Sequence, residues 1–344
     1  MIVKPDFIIG NEKRFFDFIS DIGKKDKVAI LSHGEDIDGI LTAKIINEVI
    51  PGDVIKLLGY EELNDGLISE LKKLKITKIT LTDMGIPNKE FVKKLESIAP
   101  LLIIDHHVAR EDYNSEKTVY LNAQGFCNSY LCYYLFSKVK SLEEYDWLVV
   151  CASFADWQHE KNREWIKEVY KKYNIAFNDD VKKTKLWDIH TTLVFACIYF
   201  RNNPKYIFDN IKTKFGDVDH LVEHEKEVRK ALNETKKRFE KEKQKLGNVY
   251  YWEFNPKLAI RELVVSKISA ENPDKTYVFV TSIDDSCRIS ARRQDDRYDL
   301  SEVIKRLIKG FDDASGGGHR KAAGCHFPKR YLEEFKRRIK EHEF

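Results

Sequence analysis

One rhythm constrains this chain more than anything else in it. Between residues 27 and 122, short apolar runs alternate with stretches of helical spacing. The runs fall at 27–32 (KVAILS), 54–58, 78–82, 101–104 and 118–122, and helical patterns at 38–49, 65–74 and 88–98 separate the first four. A short apolar run bounded by polar residues or glycine reads as a buried strand, and strands separated by helices read as βαβ units. Such units build a mostly parallel sheet with helices on both faces. An amphipathic helix is expected ahead of them at 11–22. Two helices rich in Tyr, Leu and Val are expected behind them at 129–139 and 143–154. Residues 160–216 are charged, aromatic and largely helical, without a motif.

A second pattern follows. Residues 218–246 are heavily charged, sparse in apolar side chains and free of Pro and Gly, which suits a long exposed connecting helix stopped at Gly247. Strands are then expected at 249–254, 276–281, 288–291 and 323–327, helices at 257–270, 300–309 and 329–342, and a loop at 316–319. A chain of 344 residues exceeds the roughly 100–200 of one domain. The organisation expected is an α/β fold in three parts: a mostly parallel-sheet domain with a helical extension (1–216), the connecting helix (217–247), and a smaller C-terminal α/β domain (248–344).

Composition excludes several functions. Net charge is only +3, so a nucleic-acid partner would have to be met by a local patch. No apolar stretch approaches the ~18–20 residues of a membrane span, so no membrane partner is expected. The first residues, MIVKPDFIIGNEKRF, make a poor signal peptide, and a cytoplasmic location is expected. Six scattered cysteines without a C-x-x-C pair suit reduced, buried thiols.

The chemistry gathers at the strand ends. The first run leads into Ser32-His33-Gly34-Glu35-Asp36-Ile37-Asp38-Gly39, the third ends at Asp83, and the fourth at Asp105-His106-His107; Ala155-Asp156 follows a helix. In open α/β sheets the carboxyl ends of strands form the ligand crevice. Several carboxylates brought together there repel one another unless protons or cations intervene. Imidazoles mixed with carboxylates suit Mn²⁺ or another first-row ion better than Ca²⁺. The donors exceed the needs of one ion, and two ions bridged by a carboxylate would use them all. Taken singly, each residue has a plainer reading: Asp36 or Asp38 as the N-cap of the next helix, Asp83 as a turn residue, the His pair as polar surface.

These residues resemble a known family. Asp105-His106-His107 after an apolar strand is similar to the signature of DHH phosphoesterases; His33…Asp36-x-Asp38-Gly39, Asp83 and Asp156 resemble their other motifs. Downstream, Gly316-Gly317-Gly318-His319…Ala322-Ala323-Gly324 is similar to the GGGH…AAG motif of the associated DHHA1 domain, and Ser290-x-Arg292 to the strand before it. The resemblance implies that His33, Asp36 and Asp83 hold one ion. Asp38, Asp83, His106 and Asp156 would hold the other, with Asp83 bridging and His107 facing the substrate phosphate. Asp38, Asp83 and His107 would thus carry the catalysis. Ser290, Arg292, Gly316, Gly317, Gly318 and His319 would bind substrate. The ions would be two Mn²⁺, with Mg²⁺ or another divalent ion as alternatives. The first motif departs from the family, which often has one residue between its His and first Asp; here there are two, so Glu35 competes with Asp36 as ligand.

The function this implies is a single-strand-specific exonuclease on DNA or RNA, acting through a two-metal-activated water, most like archaeal RecJ-like members. An enzyme for short oligonucleotides or small nucleotides is one alternative. Another is a non-catalytic subunit of a replication or repair assembly, with protein partners to match. The string His220-x-x-Glu223-His224 matches a zinc-protease pattern, but in so charged a segment it reads as solvated helix.

Overall fold

A computed structural model describes residues 2–109 and 111–342; the outer limits of the expected domains, residues 1 and 344, lie outside them. The chain forms two compact units, Met1–Glu225 and Lys226–Phe344.

The first unit opens with α1 (Glu12–Ser20), then β1 (Val28–His33), α2 (Ile37–Val49), β2 (Val54–Leu58), α3 (Asp65–Lys73), β3 (Lys78–Thr82), α4 (Lys89–Glu96), β4 (Leu101–Asp105) and β5 (Thr118–Asn122). All five strands are parallel, in the order β2-β1-β3-β4-β5. Alternate strand residues face opposite ways. Leu102 and Ile104 enter one core, and Leu101 and Ile103 the other. The first core is filled from α1, α2, α5 (Asn128–Phe136) and α6 (Asp146–Ala155), the second from α3 and α4. The sheet is therefore buried on both faces, which is why its strands are apolar runs rather than alternating ones. Helices α7 (Arg163–Lys172), α8 (Lys185–Tyr199) and α9 (Pro204–Asn210) extend the first core.

Helix α10 (Val222–Glu242) begins at the end of the first unit and runs into the second. It is shorter than the charged segment suggested, because residues 244–246 peel off as β6 (Gln244–Leu246). Gly247 is then not a helix stop but the left-handed turn residue (φ 58°) between β6 and β7 (Val249–Glu253). Nor is α10 simply exposed. Val228, Leu232, Thr235 and Phe239 form a buried stripe, and the Phe239 ring packs on Trp252 and Phe279.

The rest of the second unit is α11 (Arg261–Glu271), β8 (Thr276–Ile283), β9 (Ser286–Arg292), α12 (Leu300–Leu307), β10 (Ser315–His319), β11 (Ala322–Pro328) and α13 (Leu332–Glu341). Its mixed sheet runs β10-β11-β9-β8-β7-β6. The expected loop at 316–319 is an edge strand, a correction with a steric cause. Gly316, Gly317 and Gly318 pair with Cys325, Gly324 and Ala323. A Cβ on Gly316 would lie 2.6 Å from that of Cys325, and Gly318 sits at φ 132° with its Cβ position 2.4 Å from the Ala322 carbonyl. Glycine here permits close pairing rather than disorder.

All six cysteines are free and buried. Among the described residues no helix is long and apolar enough to cross a membrane.

Candidate metal centre

The strand order reverses direction at β1, which has β2 on one side and β3 on the other. Open α/β sheets bind ligands at such a switch point, outside the strands' carboxyl ends. His33 is the last residue of β1, and Asp83 follows β3 directly. Asp83 adopts a left-handed backbone (φ 56°), which Asp tolerates better than most residues, and its N–H donates to the Ile104 carbonyl at 3.2 Å. Asp105 closes β4, with His106 and His107 next, and Asp156 is the C-cap of α6.

Asp36 caps α2, accepting the Gly39 N–H at 3.0 Å, yet it also lies 3.0 Å from His33 Nδ1. Cap and site role coexist in one carboxylate. Gly39 is required there, since a Cβ would meet the His33 carbonyl oxygen at 2.3 Å. Asp38, in the first turn of α2, caps a different helix: its two oxygens accept Asn128 N–H at 2.7 Å and Ser129 N–H at 2.8 Å at the start of α5. Asp83 Oδ1 faces His106 Nε2 at 3.1 Å, and its Oδ2 faces His33 Nδ1 at 3.8 Å. Asp156 Oδ2 lies 3.5 Å from His106 Nε2. The structure thus brings His33, Asp36, Asp38, Asp83, His106 and Asp156 together. Among the described residues, three groups have ligand atoms all within 4.8 Å of one another: His33, Asp36 and Asp83; Asp38, His106 and Asp156; and Asp83, His106 and His107.

The electrostatics are strained. Burial, and then the charges of Asp38 and Asp36, push the Asp83 carboxyl well above the usual carboxylate range. Burial, then Asp38, Asp36 and Asp83, do the same to Asp156. Burial opposes charge on His33, but Asp36 beside it outweighs this and pulls its pKa up to about 11. Burial likewise opposes charge on His106, and Asp38, Asp156 and Asp105 overcome it. Protons gather on Asp83 and Asp156 because buried carboxylates set so close together disfavour one another's ionisation.

The donors fit divalent cations. His106 Nδ1 lies 2.9 Å from the Phe126 carbonyl oxygen, which can only accept, so Nδ1 carries a proton and Nε2, facing Asp83 and Asp156, is the atom that would give up its proton to ligate a cation. A ligating histidine is commonly fixed in this way. His107 Nδ1 sits 2.7 Å from Asp105 Oδ1, which also accepts the His106 N–H at 2.9 Å. Burial opposes charge on His107, but the hydrogen bond to Asp105 raises its pKa. Its Nε2 reaches the hydroxyl of Tyr60 at 3.4 Å.

Glu35 takes a different partner from Asp36. It forms an ion pair with Arg201, just beyond α8, and lies 3.6 Å from His33 Nε2. The Arg201 contact links the motif-free stretch 160–216 to the centre. Neither it nor Tyr60 has a local sequence signal, since both contacts cross many residues. Asp105 stood within the DHH triplet, but its orienting role needed coordinates.

In the second unit, Ser290 is buried, and its Oγ accepts Arg261 Nε at 2.8 Å; Arg261 also donates to Thr281 Oγ1 at 2.6 Å. Arg292 donates to Ser266 Oγ at 3.1 Å and to the Ala291 carbonyl at 2.9 Å. His319 is exposed at the end of β10, and an added Cβ on Gly317 would meet nothing within 4 Å. Arg261, unmarked in sequence, holds the Ser290 strand. His220 and His224 are half-buried rather than solvated, and His224 packs on Tyr199 and Phe200.

Residues 249–342 match the DHHA1 domain family. The whole chain superposes on a structure of exonuclease RecJ bound to manganese, with TM-score 0.68 and 12% identity over 99% of this chain and 95% of that one. The chain has the DHH/DHHA1 fold of RecJ. RecJ from Thermus thermophilus in complex with Mn²⁺ gives TM-score 0.71 at 12% identity, over 99% of this chain and 55% of that one. CDC45 from Entamoeba histolytica shares the fold too, with TM-score 0.62 and 10% identity over 96% and 98% of the two chains. No curated protein matches the sequence. The DHH/DHHA1 fold thus spans both units, and the carboxylate–imidazole cluster lies at the strand ends of the first.

Proposed function

We propose that this chain is a metal-dependent phosphodiesterase, a hydrolase that trims single-stranded DNA or RNA from an end. Asp83 carries the reading. It presents one oxygen to His106 and the other to His33, at 3.1 and 3.8 Å, the disposition of a carboxylate bridging two cations. His33, Asp36 and Asp83 would hold one ion; Asp38, Asp83, His106 and Asp156 would hold the other. Mixed imidazole and carboxylate donors suit Mn²⁺, and the carboxylates suit Mg²⁺. The exonuclease and the manganese named for the matched RecJ structures support the same choice.

Two divalent ions bound there would supply charge neutralisation and an acidified water for in-line attack at phosphorus. The chain's own groups do the rest. Asp105 fixes the His107 ring and stabilises its protonated form, so that Nε2–H meets a phosphoryl oxygen. Gly39 lets α2 start close against β1, which sets Asp36 beside His33 and Asp38 near His106 and Asp156. Ser290, Arg292, Gly316, Gly317, Gly318 and His319 of the DHHA1 domain would contact the strand away from the scissile bond. Of these, Gly317 has the open space such contact needs.

The test incubates the chain with Mn²⁺ and end-labelled DNA and RNA, single-stranded and duplex, short and long. A ladder from single strands alone is expected. Asp83→Ala should cost at least about 1,000-fold, since metal ions contribute several kcal/mol to such reactions. Undiminished cleavage by Asp83→Ala would refute the two-metal reading. A shallow salt dependence with preference for the shortest substrates would point instead to a small-nucleotide enzyme.

A further inference from the structure

Among the described residues, few large hydrophobic side chains remain exposed, and three of them adjoin the cluster: Tyr60, Val108 and Trp157, at 44, 79 and 56%. The two aromatic ones attend different halves of it. The Tyr60 ring lies 5.1 Å from that of His33, beside His33, Asp36 and Asp83. Trp157 is the chain neighbour of Asp156, which belongs to the group of Asp38, His106 and Asp156.

Trp157 also stands where the backbone disfavours it. Helix α6 ends with Trp157 N–H on the Phe154 carbonyl at 3.2 Å and Gln158 N–H on that of Ser153 at 2.9 Å. That is a Schellman ending, whose left-handed residue is usually glycine. Here it is Trp157, at φ 56°. A bulky residue kept in a disfavoured conformation points to function more than to stability. Its indole is not left loose. Trp187 lies 5.5 Å away, tilted by 52°, His159 lies 6.0 Å away, and Lys182 Nζ sits 5.1 Å over the ring.

We propose that Tyr60 and Trp157 are stacking platforms for the two nucleobases that flank the scissile phosphodiester, one at each half of the centre. This rests on the phosphodiesterase reading and narrows its substrate to a linkage between two nucleosides. Aromatic platforms suit single-stranded substrates, because every unpaired base offers a π-face. Lys182 lies over one face of the Trp157 ring, which leaves the opposite face for a base.

The test compares three dinucleotides: one with both bases, and two lacking one base each. Stacking losses typically fall on the order of 10-fold per base. Tyr60→Ala and Trp157→Gly are each expected to raise KM about that much on the complete dinucleotide. Each variant should lose its effect on one abasic probe, and the two should differ in which. Tyr60→Phe keeps the ring and loses only the hydroxyl that reaches His107, so its KM should match the parent's. Trp157→Gly should melt no lower than the parent, since glycine suits that backbone position. Equal effects on all three probes, or a Tyr60→Phe whose KM rises as much as that of Tyr60→Ala, would overturn the proposal. Tryptophan emission of the metal-free chain provides a readout besides activity. The dinucleotide should quench it, inorganic phosphate should not, and Trp157→Gly should lose the quenching. If the parent cuts no probe, the phosphodiesterase reading fails while quenching still reports stacking; no quenching overturns the stacking itself.

Discussion

In the first unit, Asp36, Asp38, Asp83 and Asp156 gather around two imidazoles, His33 and His106, with Asp38 and Asp83 buried and Asp36 and Asp156 half-buried. In the second unit, Arg293 grips Asp295 with two nitrogens, at 2.7 and 2.8 Å, and that hydrogen bonding holds the Asp295 carboxyl at about 2. This pair of the second unit is satisfied within that unit. The first carries a deficit of positive charge that only protons or cations can meet. The deficit marks where chemistry belongs. Among the second unit's expected substrate contacts, Ser290 and Arg292 are already engaged within their own sheet.

Three predictions sharpen or break that contrast, from largest effect to smallest. The first concerns acid. Burial lowers the His190 pKa from 6.5 to about 4, with its ring nitrogen Nδ1 held 2.9 Å from the Cys151 carbonyl. As pH falls from about 6.5 to 4, the unfolded chain gains a proton that the folded chain refuses, so stability falls. The loss approaches about 3 kcal/mol from this group. His190→Gln should flatten the first unit's acid dependence over that window in urea titrations followed by hydrogen exchange. The Asp295 pairing runs the other way in range: its contribution holds above 3.8 and fades only as pH drops toward about 2. A second unit that failed first on mild acidification would break the comparison.

The second concerns Asp105. Asp105→Asn should keep the fold and the metal ligands but loosen His107. Partners of this kind typically cost 10–100-fold, and the fall should appear in kcat with metal affinity little changed. An unaltered kcat would remove His107 and Asp105 from the chemistry.

The smallest effects separate two neighbouring glycines. Gly318→Ala forces a side chain into a left-handed position against the Ala322 carbonyl. It should destabilise the second unit by roughly 1–3 kcal/mol in thermal melts. Gly317→Ala enters open space and should leave the melt unchanged while weakening strand binding. Equal melting losses would make both glycines purely structural.

How much of this was legible differs by element. The parallel sheet was readable because both its faces are buried, which leaves strands as plain apolar runs. The cluster was readable because its residues end those runs. The edge strand at Gly316–Gly318 was not, because glycine lowers strand propensity, and only the close approach of β11 explains its use. The buried stripe of α10 was hidden by the density of Lys and Glu around Val228, Leu232, Thr235 and Phe239, although their spacing is helical. Tyr60, Arg201 and Arg261 act through contacts distant in sequence and carry no local pattern. Trp157 was readable only once the left-handed cap it occupies was visible.

The most direct test is a calorimetric titration of the metal-free chain with Mn²⁺. Two ions per chain should bind with release of protons, because the cations replace protons now held by Asp83, Asp156 and the imidazoles. Asp83→Ala should lose at least one of them. A chain that binds no Mn²⁺, or binds it without proton release and indifferently to Asp83, would contradict the account.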